Sequence, residues 1–243
     1  MRVLILGGTA QARALAEAVH GQGRHEVISS LVGRTSRPVL PAGAVRIGGF
    51  GGVEGLARYL GDESIDVLVD ATHPFAGRIS ANAVDAAARA GVRLVVLRRR
   101  AWSAGPGDRW IAVPDMAGAA REVGGLPEGG VVFLAVGRQE IGVFAGDDRH
   151  AYLIRSVDPP DGPLPLRHSV VLGRGPYTVD SEVALLRERS VTVVVSRNSG
   201  GDDGAAKLVA ARRVGVPVIM IEPPVPPVGV RSVETVAEIL ALL

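Results

Sequence analysis

The residues best suited to chemistry follow a short apolar run, Val67–Val69, where Asp70-Ala-Thr-His-Pro-Phe75 brings a carboxylate, a hydroxyl and an imidazole together. The apolar run is typical of a buried parallel strand. Pro74 disfavours helix at the residue before it, so His73 is predicted to stay extended. Open α/β sheets bind ligands beyond the carboxyl ends of their strands, so this loop predicts a binding site. The alternative is an ordinary loop whose aspartate and threonine cap the next helix.

A second candidate loop follows the first predicted strand, Arg2–Leu6. Its sequence is Gly7-Gly-Thr-Ala-Gln-Ala12, and a helical pattern comes next. In the dinucleotide pattern G-x-G-x-x-G/A, Gly7 and Ala12 match, whereas Thr9 replaces the middle glycine. The tight turn still presents backbone N–H groups at a helix N-terminus, where a phosphate can bind. The threonine can add a hydroxyl or cap the helix, and the loop predicts nucleotide binding.

The loop after the next predicted strand, His25–Val32, bears on the choice of cofactor. Proteins that bind NAD usually place an acidic residue here for the ribose hydroxyls, but this chain has Arg34-Thr-Ser-Arg37. An arginine with hydroxyl groups can hold a 2′-phosphate, which favours NADP over NAD. A solvated basic turn is the alternative.

Glycines are concentrated after a further short strand, Val45–Ile47. The segment Gly48-Gly-Phe-Gly-Gly52 has four glycines around one phenylalanine. Glycine lets the backbone approach a ligand closely, so this loop is a candidate ligand contact. A flexible turn before the next helix explains it equally simply.

The second half of the chain repeats the alternation of strand, loop and helix. Ser196-Arg-Asn-Ser-Gly-Gly201 follows the β-branched run Val191–Val195, and Lys207, the only lysine, lies in the helix that comes next. Backbone N–H groups and a lysine around a helix start indicate an anion pocket. The segment is not a P-loop, because GxxxxGK[ST] is absent.

Three arginines lie at or just after predicted strand ends in this half: Arg155, Arg174 and Arg197. If the sheet is parallel, their loops share one edge. Arginine binds carboxylates and phosphates in bidentate fashion, so a polyanionic ligand fits this edge. Separate surface arginines are the alternative interpretation.

Length and composition bound the class of protein. The chain of 243 residues has room for two domains, which we place at 1–98 and 99–243. Residues 98–110 are the predicted linker, and the two tryptophans in it should hold it against the folded protein. Aromatic content of 4% argues against stacking on nucleic acid, and the net charge of +2 creates no strong field. No apolar run approaches the ~20 residues of a membrane span, and no signal peptide is evident. We therefore expect a cytoplasmic protein without membrane or nucleic-acid partners; its oligomeric state stays open.

Motifs of hydrolases and metalloenzymes are absent. The chain lacks HExxH, GxSxG, cysteine and paired histidines, so no metal site is predicted. His150 and His168 are expected at the surface, which leaves His73 as the one histidine in a candidate site. Hydride transfer fits this composition, because the cofactor carries the chemistry. No tyrosine has a lysine four residues later, which disfavours a short-chain-type oxidoreductase.

Seven segments in order resemble the precorrin-6A reductase family of cobalamin (corrin ring) biosynthesis. They span nearly the whole chain, and DATHPFA together with NSGG and the lysine is the most specific combination. Arg197 departs from the lysine expected before NSG, which keeps the charge but changes the geometry. The segments are GGT-x-x-A (Gly7–Ala12), GGFGG (Gly48–Gly52), DATHPFA (Asp70–Ala76) with Ser80 and Asn82, GRQE (Gly137–Glu140), RSVDPP (Arg155–Pro160), GPYT (Gly175–Thr178) with Glu182, and NSGG (Asn198–Gly201) with Lys207.

The resemblance implies an α/β fold of two Rossmann-like parallel-sheet domains with a cleft between them, the first binding a dinucleotide and the second a substrate or anion. It implies NADPH-dependent reduction of one double bond of precorrin-6A to give precorrin-6B. The related anaerobic-pathway enzymes, which reduce the cobalt-containing macrocycle, are the alternative in the same family. A non-catalytic NADP-binding sensor is the alternative from another class, although a sensor needs no second anion site.

The resemblance also implies roles for individual residues. His73 is the candidate proton donor or polarising group, because an imine conjugated with the reduced bond must be polarised or protonated. The cofactor-binding residues implied are Gly7, Gly8, Thr9, Gln11, Ala12, Arg34, Thr35, Thr72, His73, Pro74 and Phe75. The residues implied to face the carboxylates of the tetrapyrrole substrate, or part of the cofactor, are Arg155, Arg174, Arg197, Asn198, Ser199, Gly200, Gly201 and Lys207.

Overall fold

The computed structural model of the protein describes residues 1–33, 39–226 and 229–243. The chain divides into two compact units, 1–100 with 224–243 and 101–223. The last twenty or so residues therefore belong to the first unit, whereas the sequence-based division placed them in the second. A short strand near the C-terminus causes this, because it pairs with a strand of the first sheet.

The first unit contains a six-stranded sheet in which every strand pair is parallel. Its order is β12-β5-β4-β1-β2-β3, so the chain leaves β1 in one direction and returns to its other side as β4. The carboxyl ends of β1 and β4 thus form a topological switch point, where ligands of such sheets bind. The strands are β1 (Arg2–Leu6), β2 (Glu26–Leu31), β3 (Ala44–Ile47), β4 (Val67–Asp70), β5 (Arg93–Leu97) and β12 (Arg231–Val233).

Helices cover both faces of this sheet, which explains why its central strands are apolar throughout. Successive side chains of β1 point to opposite faces, so Ile5 joins the core under one helix layer and Leu4 joins the core under the other. Both side chains are fully buried. The helices of this unit are α1 (Ala10–Gly21), α2 (Val53–Asp62), α3 (Gly77–Ala90) and α7 (Val236–Leu240).

The second unit repeats the design with a six-stranded parallel sheet in the order β6-β11-β10-β7-β8-β9. Its switch point lies between β7 and β10. The strands are β6 (Trp110–Val113), β7 (Val131–Ala135), β8 (Ala151–Ser156), β9 (His168–Leu172), β10 (Val193–Arg197) and β11 (Val218–Ile221). The helices are α4 (Met116–Gly124), α5 (Val179–Glu188) and α6 (Ala206–Val214), with a short 3-10 helix at Ile141–Phe144.

Three strands, β6, β9 and β12, have no clear signal in the sequence. Each lies at the edge of its sheet and is short or largely exposed, so it lacks the apolar run that marks a central strand.

His150 is buried, and the prediction that it lies at the surface is wrong. Its ring contacts two acceptors: Nδ1 lies 2.6 Å from Asp147 Oδ2 and Nε2 lies 3.1 Å from the Pro127 carbonyl oxygen. The Tyr152 hydroxyl donates to the same carboxylate oxygen at 2.6 Å. This network makes burial of the imidazole acceptable, because each of its polar atoms has a partner.

The network predicts acid sensitivity of the second unit. Burial alone would raise the pKa of the Asp147 carboxyl, but hydrogen bonds from Tyr152, the Arg149 backbone N–H and His150 lower it to about 2. A carboxyl whose folded pKa is depressed contributes stability above its unfolded pKa, and that contribution is lost as the pH falls from about 4 toward 2. We expect Asp147→Asn to lower the free energy of unfolding by about 1–2 kcal/mol at pH 7 and by much less at pH 2.5.

Urea unfolding followed by tryptophan fluorescence measures this effect, since Trp102 and Trp110, the only tryptophans, both lie in the second unit. The matched control is Asp148→Asn, because this neighbouring carboxylate is exposed. Equal effects of Asp147→Asn at both pH values would contradict the prediction.

Candidate functional site

Thr9 ties the two loops of the first switch point together. Its hydroxyl donates to the Ala71 carbonyl oxygen at 2.9 Å and accepts from the Ala12 backbone N–H at 3.0 Å. The side chain thus caps α1 and links the loop after β1 to the loop after β4. Of the two roles that the sequence left open, the structure shows the cap.

Gly8 supplies the conformation that the loop after β1 requires. Its φ of +108° lies in a region that L side chains rarely adopt, and a Cβ built there meets no atom within 4 Å. Gly7, by contrast, packs closely, because a Cβ would lie 3.3 Å from the Leu31 side chain. The space beside Gly8 opens at the N-terminus of α1, whose first turn carries no acidic residue. This arrangement fits a phosphate group.

Gln11 and Ala12 contact other parts of the protein and so hold this loop in place. The Gln11 side-chain amide donates to the Glu234 carbonyl oxygen at 2.8 Å, which attaches α1 to the segment between β12 and α7. Ala12 is buried in the core under α1. Both residues therefore fix the position of the loop.

Asp70 organises the loop after β4. Its buried carboxylate accepts from the Thr72 backbone N–H at 3.0 Å and from the Thr72 hydroxyl at 2.7 Å. Further along, the Phe75 backbone N–H donates to His73 Nδ1 at 3.3 Å, and the two rings lie 5.8 Å apart. Nδ1 of His73 is the acceptor in this contact, which leaves Nε2 as the ring position that can donate a proton.

Arg98 holds the same loop from the end of β5 and was not assigned a role from the sequence. Its Nη2 donates to the carbonyl oxygens of Pro74, at 3.2 Å, and Pro224, at 2.8 Å. Burial lowers the pKa of its guanidinium, and the nearby Asp70 carboxylate opposes that effect. A pocket of about 410 Å³ adjoins it, lined by Pro74, Ser80, Val84, Arg98 and Pro224 among others. The signal in the sequence was the arginine triplet at residues 98–100.

In the second unit, the end of β10 and the loop after β7 meet at the switch point through an ion pair between Arg197 and Glu140. Burial lowers the pKa of the Arg197 guanidinium, while the Glu140 carboxylate raises it. The arginine is therefore engaged within the protein.

Asn198 and Trp102 hold the NSGG segment in place. The buried Asn198 amide accepts from the Trp102 backbone N–H at 2.7 Å and donates to the Trp102 carbonyl oxygen at 2.9 Å. The Trp102 indole N–H donates to the Gly201 carbonyl oxygen at 2.9 Å. The predicted packing of the linker tryptophans is thus confirmed for Trp102, and the Asn198 side chain is occupied by this contact.

Lys207 points into the second unit. Its Nζ donates to the Gly204 carbonyl oxygen at 2.7 Å and lies 5.0 Å from the centre of a Trp102 ring. Burial lowers the pKa of its ammonium group to about 8, and the like charge of Arg155 adds to this. The ammonium group supports the segment that follows the NSGG loop.

Arg155 forms an ion pair with Glu182, whose side chain is only 1% exposed. Its guanidinium also lies over two aromatic rings, 4.9 Å from the centre of Phe133 and 4.1 Å from that of Tyr177. Burial raises the pKa of the Tyr177 hydroxyl, which therefore keeps its proton at neutral pH.

The fold brings most of the predicted residues to the carboxyl edges of the two sheets, yet it gives several of them partners inside the protein. Arg174 follows β9, which is three strands away from β10 in the sheet order. Ser199, Gly200 and Gly201 lie in the loop directly after β10. Arg34 and Thr35 lie outside the described residues.

Two features are absent from the described residues, 1–33, 39–226 and 229–243. Within them, none of the helices has the length and apolar character needed to cross a membrane. Among the same residues, no group of three or more His, Asp or Glu side chains is placed to hold a metal ion.

Comparison with known proteins agrees with this architecture. Residues 2–243 match the family model described as precorrin-6x reductase CbiJ/CobK. The chain is 49% identical over 242 residues to the precorrin-6A reductase of Rhodococcus erythropolis, covering 99% of this chain and 96% of the relative. A solved structure of CobK precorrin-6A reductase superposes with a TM-score of 0.92 at 46% identity, covering 100% of this chain and 96% of that one.

A more distant relative marks another branch. Identity falls to 30% over 235 residues for the cobalt-precorrin-6A reductase of Priestia megaterium, with 91% of this chain and 90% of that protein covered. The match over nearly the whole chain leads to the same assignment as the two parallel Rossmann-like sheets and the switch-point loops. The chain belongs to the precorrin-6x reductase family.

Proposed function

We propose that this protein reduces one double bond of metal-free precorrin-6A to give precorrin-6B, with NADPH as the hydride donor. The observation that carries the proposal is the near full-length identity of 49% to a precorrin-6A reductase, against 30% to a cobalt-precorrin-6A reductase. The nicotinamide cofactor supplies a hydride when it is bound. Everything else in the reaction is positioning, exclusion of water and proton transfer by the protein and the substrate.

The first unit is the proposed cofactor-binding domain. The open space beside Gly8 and the capped N-terminus of α1 fit a pyrophosphate, which needs backbone N–H donors and close approach. The wall near the nicotinamide is then formed by Thr72, His73, Pro74 and Phe75, because their loop lies beside the loop after β1 at the switch point.

The second unit is the proposed substrate domain. Precorrins carry many carboxylate side chains, and the backbone N–H groups of Ser199, Gly200 and Gly201 are suited to one of them. The internal partners of Asn198 and Lys207 suggest that these two residues shape the loop instead of binding the carboxylate directly. Arg155 and Arg197 pair with Glu182 and Glu140, so their charges are largely compensated within the protein, and Arg174, which follows β9, is proposed to face the substrate carboxylates.

Cofactor preference tests the assignment of NADPH. If Arg34 and Thr35 hold the 2′-phosphate, the protein binds NADPH at least tenfold more tightly than NADH, which corresponds to about 1.4 kcal/mol. A fluorescence titration with each dinucleotide measures this ratio. Equal affinities would contradict the phosphate clamp and favour an NADH-using enzyme.

Turnover tests the reaction itself. The purified protein is mixed with NADPH and either precorrin-6A or its cobalt complex under anaerobic conditions, and the loss of NADPH absorbance is followed. The proposal predicts faster oxidation of NADPH with the metal-free substrate. Faster turnover of the cobalt complex would contradict the choice of substrate, and dinucleotide binding without turnover of either would favour a sensor.

His73→Ala is the variant for the proposed proton donor. We expect slower hydride transfer in single-turnover experiments, by about 10²-fold as is typical of general acid catalysis, with the affinity for NADPH nearly unchanged. The control is His20→Ala, which removes an exposed imidazole at the end of α1. A single-turnover rate equal to that of the unmodified protein would show that the proton comes from the substrate or from water.

A further inference from the structure

Arg46, near the end of β3, makes more contacts than its place in an edge strand requires. Its Nη1 donates to the Ser30 hydroxyl oxygen at 3.1 Å and to the Gly48 carbonyl oxygen at 2.7 Å, and its Nη2 donates to the Gly49 carbonyl oxygen at 2.9 Å. The guanidinium carbon also lies 3.8 Å from the centre of the Phe50 ring. One side chain therefore fixes three consecutive residues of the glycine loop, Gly48–Gly52.

The loop is also fixed from the side of α2. A Cβ at Gly55 would lie 1.7 Å from the Phe50 carbonyl oxygen, so the loop backbone rests directly on the first turn of the helix. Gly48 and Gly52 adopt φ values of +125° and +98°, which only glycine adopts readily. Arginine, helix and glycines together hold this loop in one shape.

Gly49 differs from its neighbours. It has no positive φ, and a Cβ built on it meets no atom within 4 Å. The protein itself therefore has room for a side chain at this position. A molecule bound against the loop would contact that side chain, so a substitution at Gly49 tests whether a ligand binds there.

The position of the loop indicates which ligand this is. The Gly7 backbone N–H donates to the Ser30 carbonyl oxygen at 3.0 Å, and the Gly48 backbone N–H donates to the Leu31 carbonyl oxygen at 2.8 Å. The loops after β1 and β3 are thus both hydrogen-bonded to the end of β2, along one edge of the sheet. A dinucleotide whose pyrophosphate lies at the start of α1 extends its adenosine half over this edge.

We propose that Arg46 is a positioning residue for the cofactor, holding the glycine loop in the shape that receives the adenosine half of the dinucleotide. The inference rests on the proposed use of a nicotinamide dinucleotide. It assigns to Arg46 the support of the loop and to Gly49 the close approach of the ligand. The contact made by the loop is common to NADPH and NADH, since both carry adenosine.

Substitutions at Arg46 and Gly49, together with one control, test this role. Arg46→Met removes the three hydrogen bonds but keeps an apolar stem, and Gly49→Ala adds one methyl group to the open face of the loop. Arg58→Met is the control, because it removes an exposed positive charge from α2, next to the loop. Dissociation constants for NADPH and NADH are measured by fluorescence titration, and the midpoint of thermal unfolding is measured without ligand.

We expect Arg46→Met to raise both dissociation constants in parallel, by at least about fivefold, and Gly49→Ala to do the same without lowering the unfolding midpoint. Arg58→Met should leave both constants unchanged. In turnover, the variants should raise KM for the cofactor while kcat at saturation stays near its original value. Arg46→Lys should recover only part of the affinity, because one ammonium group cannot reproduce the planar fork.

Unchanged dissociation constants in Arg46→Met and Gly49→Ala would overturn the inference. A loss of affinity for NADPH alone would also overturn it, since that result identifies a direct contact with the 2′-phosphate. If Arg46→Met does not fold, Gly49→Ala decides the question by itself. A failure of the proposed function looks different, because the unmodified protein would then bind neither dinucleotide or would bind one without turnover.

Discussion

Replacing Gly8 with valine is expected to raise the dissociation constant for NADPH by at least 100-fold, or about 2.7 kcal/mol. Two physical effects combine at this position. A φ of +108° is strained for any residue with a Cβ, and the branched side chain would fill the open space where the phosphate is proposed to lie. The backbone N–H groups at the start of α1 would then be shielded from the ligand.

The effect on folding should be smaller than the effect on binding. Backbone strain of this kind costs of order 1–3 kcal/mol, and no protein atom lies within 4 Å of the new Cβ to add a clash. Titration of NADPH and thermal unfolding of the same samples separate the two effects. Gly21→Ala, in open space at the end of α1, is the control and should leave the affinity unchanged. An unaltered affinity in Gly8→Val would place the pyrophosphate elsewhere.

Glu182→Gln is expected to lower the free energy of unfolding of the second unit by about 3–5 kcal/mol. The carboxylate is buried and forms an ion pair with Arg155, and its charge also favours the protonated form of Lys207. Glutamine has nearly the same shape but no charge. The substitution would therefore leave two cations inside the protein with no anion beside them, which is far more costly than losing an exposed pair.

Urea unfolding followed by tryptophan fluorescence measures this loss, since both tryptophans lie in the second unit. The control is Asp180→Asn on the same helix, which breaks an exposed pair with Arg213 and should cost less than about 1 kcal/mol. In the double variant with Arg155→Met, the two losses should not add, because the second change removes one of the uncompensated charges. Additive losses would show that the pair is not coupled.

The sequence alone was sufficient to predict the central strands and the order of the loops that follow them. Runs such as Val67–Val69 and Val191–Val195 are apolar because both faces of a parallel strand are covered, and this pattern is local. The candidate loops after β1 and β4 were predicted for the same reason, since each is a polar or glycine-rich interruption directly after such a run. The family resemblance rested on these segments in their order along the chain.

Only the tertiary structure showed which of the predicted site residues bond to other residues of the protein. The family resemblance implied that Arg155, Asn198 and Lys207 face the substrate, and the structure shows that Glu182, Trp102 and Gly204 are their partners within the protein. These contacts join residues that are up to 96 positions apart in the chain, so no local pattern announces them. The assignment of β12 to the first sheet depends in the same way on a distant pairing, with β5. Local sequence specifies where a strand or a turn can form, whereas the partner of a charged side chain is set by which strands the fold places side by side.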